Sequence, residues 1–333
     1  MILILLYLFF SLNASCSETK ITDEKPQAQI IYDNQINSSS SSYYLKEDNF
    51  KDYFFGDNKK YQVQISSIKG GEDIGLHYIK NLLSEKESND LLSLCNVRNG
   101  WIASPQRDAT GITSKRKERT SSSCPLIWPL FYLSKLQELK NNGKLTKIIE
   151  NEINLSWNFM QKIAAFTEVD DTHVEPLQLI RYFKGEFYKL HHDHGSYYNL
   201  KTEQRPITIL LFLSTMPISH ERAGYTRFPK PSSKYNQSIS IRPVIGDAIY
   251  WQNESEDGEL LLQALHEAVP PDDTYNSNEL EIESMIDGSK GNNGDDVKDS
   301  KKLNTNTIVK YAANIWINKD PIARINSAAF KTE

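Results

Sequence analysis

The chain has 333 residues, 39% hydrophobic and 24% charged, with a formal net charge of -5. That length holds one large domain or two modest ones. The composition is that of an ordinary soluble protein, and the acidic balance argues against a nucleic-acid surface.

Met1 to Leu12 is almost wholly apolar and is followed by Asn13-Ala14-Ser15-Cys16, small and polar residues of the kind found at a cleavage site. The run is shorter than the ~20 residues needed to cross a bilayer. Residues 1–16 are therefore expected to be a secretory signal, and no later stretch is apolar enough to span a membrane. The expected location is the lumen of the endoplasmic reticulum, in soluble form, or anchored there if the signal is retained. With Cys16 beside the signal, Cys95 and Cys124 remain as an even pair; a disulfide and two buried thiols both stay open. Sequons at Asn37, Asn154, Asn236 and Asn253 are candidate glycan sites in such a compartment.

Residues 17–71 are polar, include the serine run Ser38–Ser42, and lack a sustained hydrophobic period, so they are expected to form a disordered leader. Order is expected from about residue 72. Ser84 and Glu87 make a capping box ahead of Leu91, Leu94 and Cys95. From Leu145 to Phe166, Ile148, Ile149, Ile153, Trp157, Met160 and Ile163 recur at helical spacing and predict a core-packed helix. Between Leu177 and Trp251 the pattern becomes short apolar runs broken by Gly, Pro and Ser, which predicts an antiparallel sandwich or jelly roll. Helices followed by strands predict an α+β fold in which the helices buttress one sheet.

Within those strands, His191 and Asp193 lie two residues apart and share a face, because side chains alternate along a strand. His266 sits in a second apolar run that stops at Pro270-Pro271, and Lys310 opens a third, Lys310 to Ile317. Two histidines and one carboxylate meet the need of an iron(II) centre that keeps open positions. A lysine in apolar surroundings is costly unless paired, and a dicarboxylate co-substrate would pair it. An acidic, Asn- and Gly-rich segment at about 272–306 separates His266 from Lys310: either it is an insertion at a hairpin tip, tolerable because closure entropy grows only with the logarithm of length, or Lys310 is not the lysine that pairs a co-substrate.

The ordered blocks Tyr182-x-x-Gly185-x-x-Tyr188-x-x-His191-x-Asp193, Arg205 before Ile207–Leu213, Gly224-Tyr225-Thr226-Arg227-Phe228-Pro229, Gly246-Asp247-Ala248, Leu265-His266-Glu267 and Lys310–Trp316 resemble the prolyl 4-hydroxylases of the iron(II) and 2-oxoglutarate dioxygenase superfamily. Arg119-Thr120-Ser121-Ser122 resembles that family's mobile loop. The resemblance implies a double-stranded β-helix (jelly-roll, cupin-like) core buttressed by N-terminal helices, with the domain at 72–320 and a tail at 321–333. It implies iron(II) held by His191, Asp193 and His266, and 2-oxoglutarate held by Lys310 with Tyr182 and Thr226. Dioxygen is the other co-substrate and ascorbate an auxiliary reductant. Tyr188, Arg205, Trp316 and Arg119 would contact a proline-rich peptide. The implied reaction is 4-hydroxylation of peptidyl proline in proline-rich or collagen-like proteins, with 2-oxoglutarate decarboxylated to succinate. The same chemistry on peptidyl lysine, on one proline of a globular protein or on a small molecule stands as an alternative, as does an idle scaffold for proline-rich peptides. The residues leave the oligomeric state open.

Overall fold

The structure, a computed structural model, describes residues 30–32, 45–55, 59–104, 118–130, 135–194, 204–219, 221–272 and 308–322. The expected signal, most of the acidic insertion and nearly all of the C-terminal tail lie outside these residues. In chain order the elements are β1 (Ile30–Tyr32), β2 (Leu45–Phe55), β3 (Lys59–Ile68), β4 (His77–Lys80), a helix over Glu85–Val97, β5 (Ile102–Ala103), β6 (Ser122–Pro125), a short helix over Leu136–Asn141 and a long helix over Lys147–Thr167. There follow β7 (Gln178–Tyr182), β8 (Tyr188–His191), β9 (Ile207–Phe212), β10 (Thr226–Phe228), β11 (Ile239–Ile241), β12 (Ala248–Gln252), β13 (His266–Ala268) and β14 (Lys310–Ile317).

The strands form two antiparallel sheets, one ordered β2-β3-β4-β12-β9-β14-β7-β6-β5 and the other β1-β11-β10-β13-β8. From β7 to β14 the chain changes sheet at every step except β10 to β11, so that β12-β9-β14-β7 faces β11-β10-β13-β8. That order is a double-stranded β-helix, and the molecule is α+β. Strand β9 shows why the sequence there is a continuous apolar run. Ile209 and Leu211 pack toward the helices with Phe159, Met160 and Ile163, whereas Leu210 and Phe212 pack toward Phe228, Ile241 and Trp251. A strand covered on both faces has no polar side to show.

The helices follow their local signals. Ser84 accepts from the Glu87 N–H while Glu87 reaches back to the Ser84 N–H, closing the expected capping box. Thr146 caps the long helix, whose C-cap is Glu168 in the left-handed region. Ile148, expected in the core, is exposed on its first turn. Cys95 and Cys124 form a disulfide with a Cα–Cα separation of 6.1 Å, tying the capped helix to β6. Gly246 explains one glycine block: its φ is +83°, and a Cβ would meet the Leu83 carbonyl oxygen at 2.3 Å. The next residue, Asp247, accepts from the Tyr78 hydroxyl at 2.7 Å and from the Asn81 N–H at 2.8 Å, so this block ties the turn before β12 to β4 and the residue that follows it.

The leader expected over 17–71 is corrected within the described residues. β2 and β3 form a hairpin that continues through β4 into the larger sheet, and β1 pairs with β11 in the smaller one. Tyr53 and Val63 are buried, and the Tyr53 ring lies 5.9 Å from that of Phe166 on the long helix. Lys51 pairs with Glu168 at 2.8 Å. An edge hairpin that buries one face carries polar residues on the other, so its average composition resembles that of a linker.

Candidate metal and co-substrate site

β8 and β13 are antiparallel neighbours, and His191 pairs directly with His266 across them. Asp193 follows two residues beyond His191, and the candidate ligand atoms of the three side chains lie within 4.8 Å of one another. His191 Nε2 is 3.8 Å from Asp193 Oδ1 and His266 Nε2 is 3.9 Å from Asp193 Oδ2.

Each imidazole is oriented by the backbone. His191 Nδ1 lies 2.7 Å from the Lys189 carbonyl oxygen, and His266 Nδ1 lies 2.9 Å from that of Ala264. A carbonyl only accepts, so both rings carry their proton on Nδ1 and turn the Nε2 lone pair toward Asp193. Burial, followed by the neighbouring His266, holds His191 well below the usual imidazole range, so it is a neutral ligand near pH 7. Burial pushes the Asp193 carboxyl up, but His266, His191, the Trp316 N–H and Arg205 outweigh it and keep the group below its ordinary value. Two imidazole nitrogens and one carboxylate converging on a point, with backbone partners behind the rings, fit iron(II) with open positions.

Lys310 is paired with Tyr182 across β14 and β7, and is 1% exposed. Its Nζ donates to Thr226 Oγ1 at 3.2 Å and to the Tyr225 carbonyl at 3.4 Å. Among the described residues no carboxylate pairs with it, and burial lowers its pKa to about 7. One cavity is lined by His191, His266, Tyr182, Tyr188, Thr226 and Lys310 among others. The fold thus brings Lys310 to the two histidines despite the long sequence separation, because β14 lies between β9 and β7.

The residues expected to meet a peptide have other neighbours. Arg205 forms a fork on Glu175, with bonds of 2.6 and 2.7 Å, and its guanidinium lies 3.8 Å from the centre of the Trp316 ring. Trp316 Nε1 donates to Asp193 Oδ2 at 3.1 Å. Both are buried; Trp316 bonds the carboxylate directly, and Arg205 packs against the Trp316 ring. Arg119 donates to Ser121 Oγ at 2.7 Å and stands 4.5 Å over the Tyr188 ring. Tyr188 in turn stacks on His191, ring centres 3.4 Å apart, and burial pushes its hydroxyl up to about 12. A separate cleft of about 330 Å³ is lined by Phe187, Tyr188, Arg227, Glu267 and Pro270 among others; it shares Tyr188 and Ala268 with the inner cavity. Glu175 and Thr208 were not singled out from the sequence, since no motif marks a residue that bonds Asp193, as Thr208 does, or Arg205, as Glu175 does.

Residues 177–276 match the family described as the 2OG-Fe(II) oxygenase superfamily. That match covers less than half of the chain, and the relatives the chain resembles by sequence are named prolyl 4-hydroxylases. It is 30% identical over 132 residues to prolyl 4-hydroxylase 13 of Arabidopsis thaliana, covering 36% of this chain and 47% of the relative. It is 27% identical over 206 residues to the probable prolyl 4-hydroxylase 3 of the same plant, covering 57% and 62%. The chain spans about half the length of the first curated relatives it matches. A solved viral collagen prolyl hydroxylase from Paramecium Bursaria Chlorella virus-1 aligns with a TM-score of 0.41 and 18% identity, over 73% of this chain and 95% of that one. No helix among the described residues is long and apolar enough to cross a membrane.

Proposed function

We propose that this protein is an iron(II)- and 2-oxoglutarate-dependent dioxygenase that hydroxylates peptidyl proline at the 4-position in a proline-rich or collagen-like polypeptide. The observation that carries this reading is the single cavity lined by both histidines of the His191–Asp193–His266 cluster and by Lys310. His191, Asp193 and His266 would hold iron(II), which when bound supplies the oxidative chemistry that couples decarboxylation of 2-oxoglutarate to hydroxylation.

The chain's own residues bind and orient. Lys310, with Thr226 and Tyr182 beside it, receives the far carboxylate of 2-oxoglutarate, and the charge-assisted bond compensates a cation that otherwise lies buried without a carboxylate. A C–H bond on a prolyl ring offers no acidic proton, so positioning counts for more than proton transfer. The cleft beside Tyr188 supports a polypeptide substrate, because Phe187, Val269 and Pro270 give it an apolar floor while Lys189, Arg227 and Glu267 lie along it. An extended proline-rich segment would enter with little further ordering. The Cys95–Cys124 bond supports an oxidising compartment such as the endoplasmic reticulum lumen, and ascorbate is the expected auxiliary reductant.

The test is succinate formation by the full chain with iron(II), ascorbate, 2-oxoglutarate and a proline-rich peptide, beside a His191→Ala control. Peptide-dependent turnover with an added oxygen on proline, absent in the control, is the expected result. Succinate without peptide oxidation would retain the dioxygenase and overturn the acceptor. Iron binding without any turnover across a broad peptide panel would point to a scaffold.

A further inference from the structure

Behind the Asp193 carboxylate lies a buried chain of hydrogen bonds that starts at the far wall of the site. Trp251 packs on His266, ring centres 4.7 Å apart, and its Nε1 donates to Asn253 Oδ1 at 2.8 Å. Asn253 Nδ2 donates to the Arg205 carbonyl at 3.0 Å and to Thr208 Oγ1 at 2.8 Å. Thr208 Oγ1 donates to Asp193 Oδ2 at 3.1 Å. Trp251 is 1% exposed, and Asn253 and Thr208 are 0% exposed.

The direction of every bond is forced. An indole N–H only donates and a peptide carbonyl only accepts, so the Asn253 amide has one allowed orientation, Oδ1 toward Trp251 and Nδ2 toward Arg205. Its second N–H then points at Thr208, whose oxygen receives it and whose proton is left for Asp193. Reversing the amide would set two donors against each other at Trp251 and two acceptors at Arg205, in a buried place where each unmet group costs about 1–3 kcal/mol. One side chain therefore joins the wall against His266 to the carboxylate that completes the cluster.

We infer that Asn253 is a positioning residue of this site: it fixes the Thr208 hydroxyl as a donor and thereby holds the Asp193 carboxylate in place opposite His191 and His266. The inference rests on reading His191, Asp193 and His266 as a metal centre. It also removes Asn253 from the candidate glycan sites of the folded protein, because both of its amide hydrogens are engaged and the side chain is enclosed.

The experiment is cobalt(II) binding to the full chain, by equilibrium dialysis and by the visible absorption of the bound ion, in wild type, Thr208→Val, Thr208→Ser, Asn253→Ala and the Thr208→Val/Asn253→Ala double variant. Thr208→Val and Asn253→Ala should each weaken binding about 10–100-fold, the range for removing a partner of a metal ligand. Thr208→Ser should bind as wild type does, and the double variant should lose no more than the weaker single variant, since both act along one path. Thr208→Val binding within about twofold of wild type, or losses that multiply in the double variant, would overturn the inference. Should Asn253→Ala fail to fold, the near-isosteric Thr208→Val and its serine counterpart decide the matter. Wild-type protein that binds no cobalt(II) would instead overturn the metal-centre reading, and this inference with it.

Discussion

The two ends of the inner cavity are built in opposite ways. At the His191–Asp193–His266 end each side chain is already tied from behind: the imidazoles by the Lys189 and Ala264 carbonyls, the carboxylate by Thr208 and Trp316. At the other end Lys310 is buried with a hydroxyl and a carbonyl for partners, and burial lowers its pKa to about 7. The first end is organised before any ligand arrives, whereas the second holds a charge that a ligand must satisfy. Affinity at the metal end should therefore depend on geometry, and affinity at the lysine end on charge.

The largest effect expected is at the metal end. His191→Ala removes one of three ligands and should abolish tight binding of iron(II) or cobalt(II), read by dialysis; a variant that still binds like wild type would break the assignment of the cluster. Next comes Lys310→Met, which should weaken 2-oxoglutarate about 100-fold, as expected for loss of a buried charge pair of about 3 kcal/mol, while metal affinity stays close to wild type. Equal losses of metal and 2-oxoglutarate would erase the contrast between the two ends.

The same lysine gives a pH signature. Its folded pKa of about 7 lies below the unfolded value of 10.5, so between these values the unfolded chain binds more protons and stability rises with pH, by up to about 1.4 kcal/mol per unit. Below pH 7 the cost of burying the charge is fully present. Urea unfolding from pH 7 to 10 should show this slope in the ligand-free wild type. The contribution should vanish in Lys310→Met and flatten with saturating 2-oxoglutarate, which keeps the lysine charged. An unchanged slope in Lys310→Met would remove Lys310 as its source.

Smaller effects sharpen the metal end. Trp316→Phe deletes one of two bonds to Asp193 Oδ2 and should cost about tenfold in metal affinity; no change would mean that Thr208 alone holds the carboxylate. Tyr188→Phe keeps the ring that stacks on His191 and should alter metal affinity less than about threefold. A larger loss would show that the phenol oxygen matters to the metal as well as the ring face.

Much of this site was legible in the chain because its residues announce themselves locally. His191 and Asp193 occur at strand spacing, Ser84 and Glu87 at capping-box spacing, and the apolar runs around β9 and β14 are continuous because both faces are covered. The support residues were not legible. Glu175 and Thr208 are ordinary in type and neighbours, and Asn253 looked like a glycan acceptor; their roles exist only where β12, β9, β14 and β7 lie side by side. The β2–β3 hairpin was missed for a related reason, since a strand with one wet face averages out to a polar segment.

The sequence by itself determined the local periods, the helix starts, the cluster of ligand types and the resemblance, because those depend on contacts a few residues apart. The resemblance already put Lys310 with the cluster across the acidic insertion, whereas tertiary structure alone decided that Trp316 bonds Asp193 and that Arg205 packs on Trp316. Such pairings depend on which strands become neighbours, and sheet order is set by the total burial of the core, which no short stretch of sequence encodes.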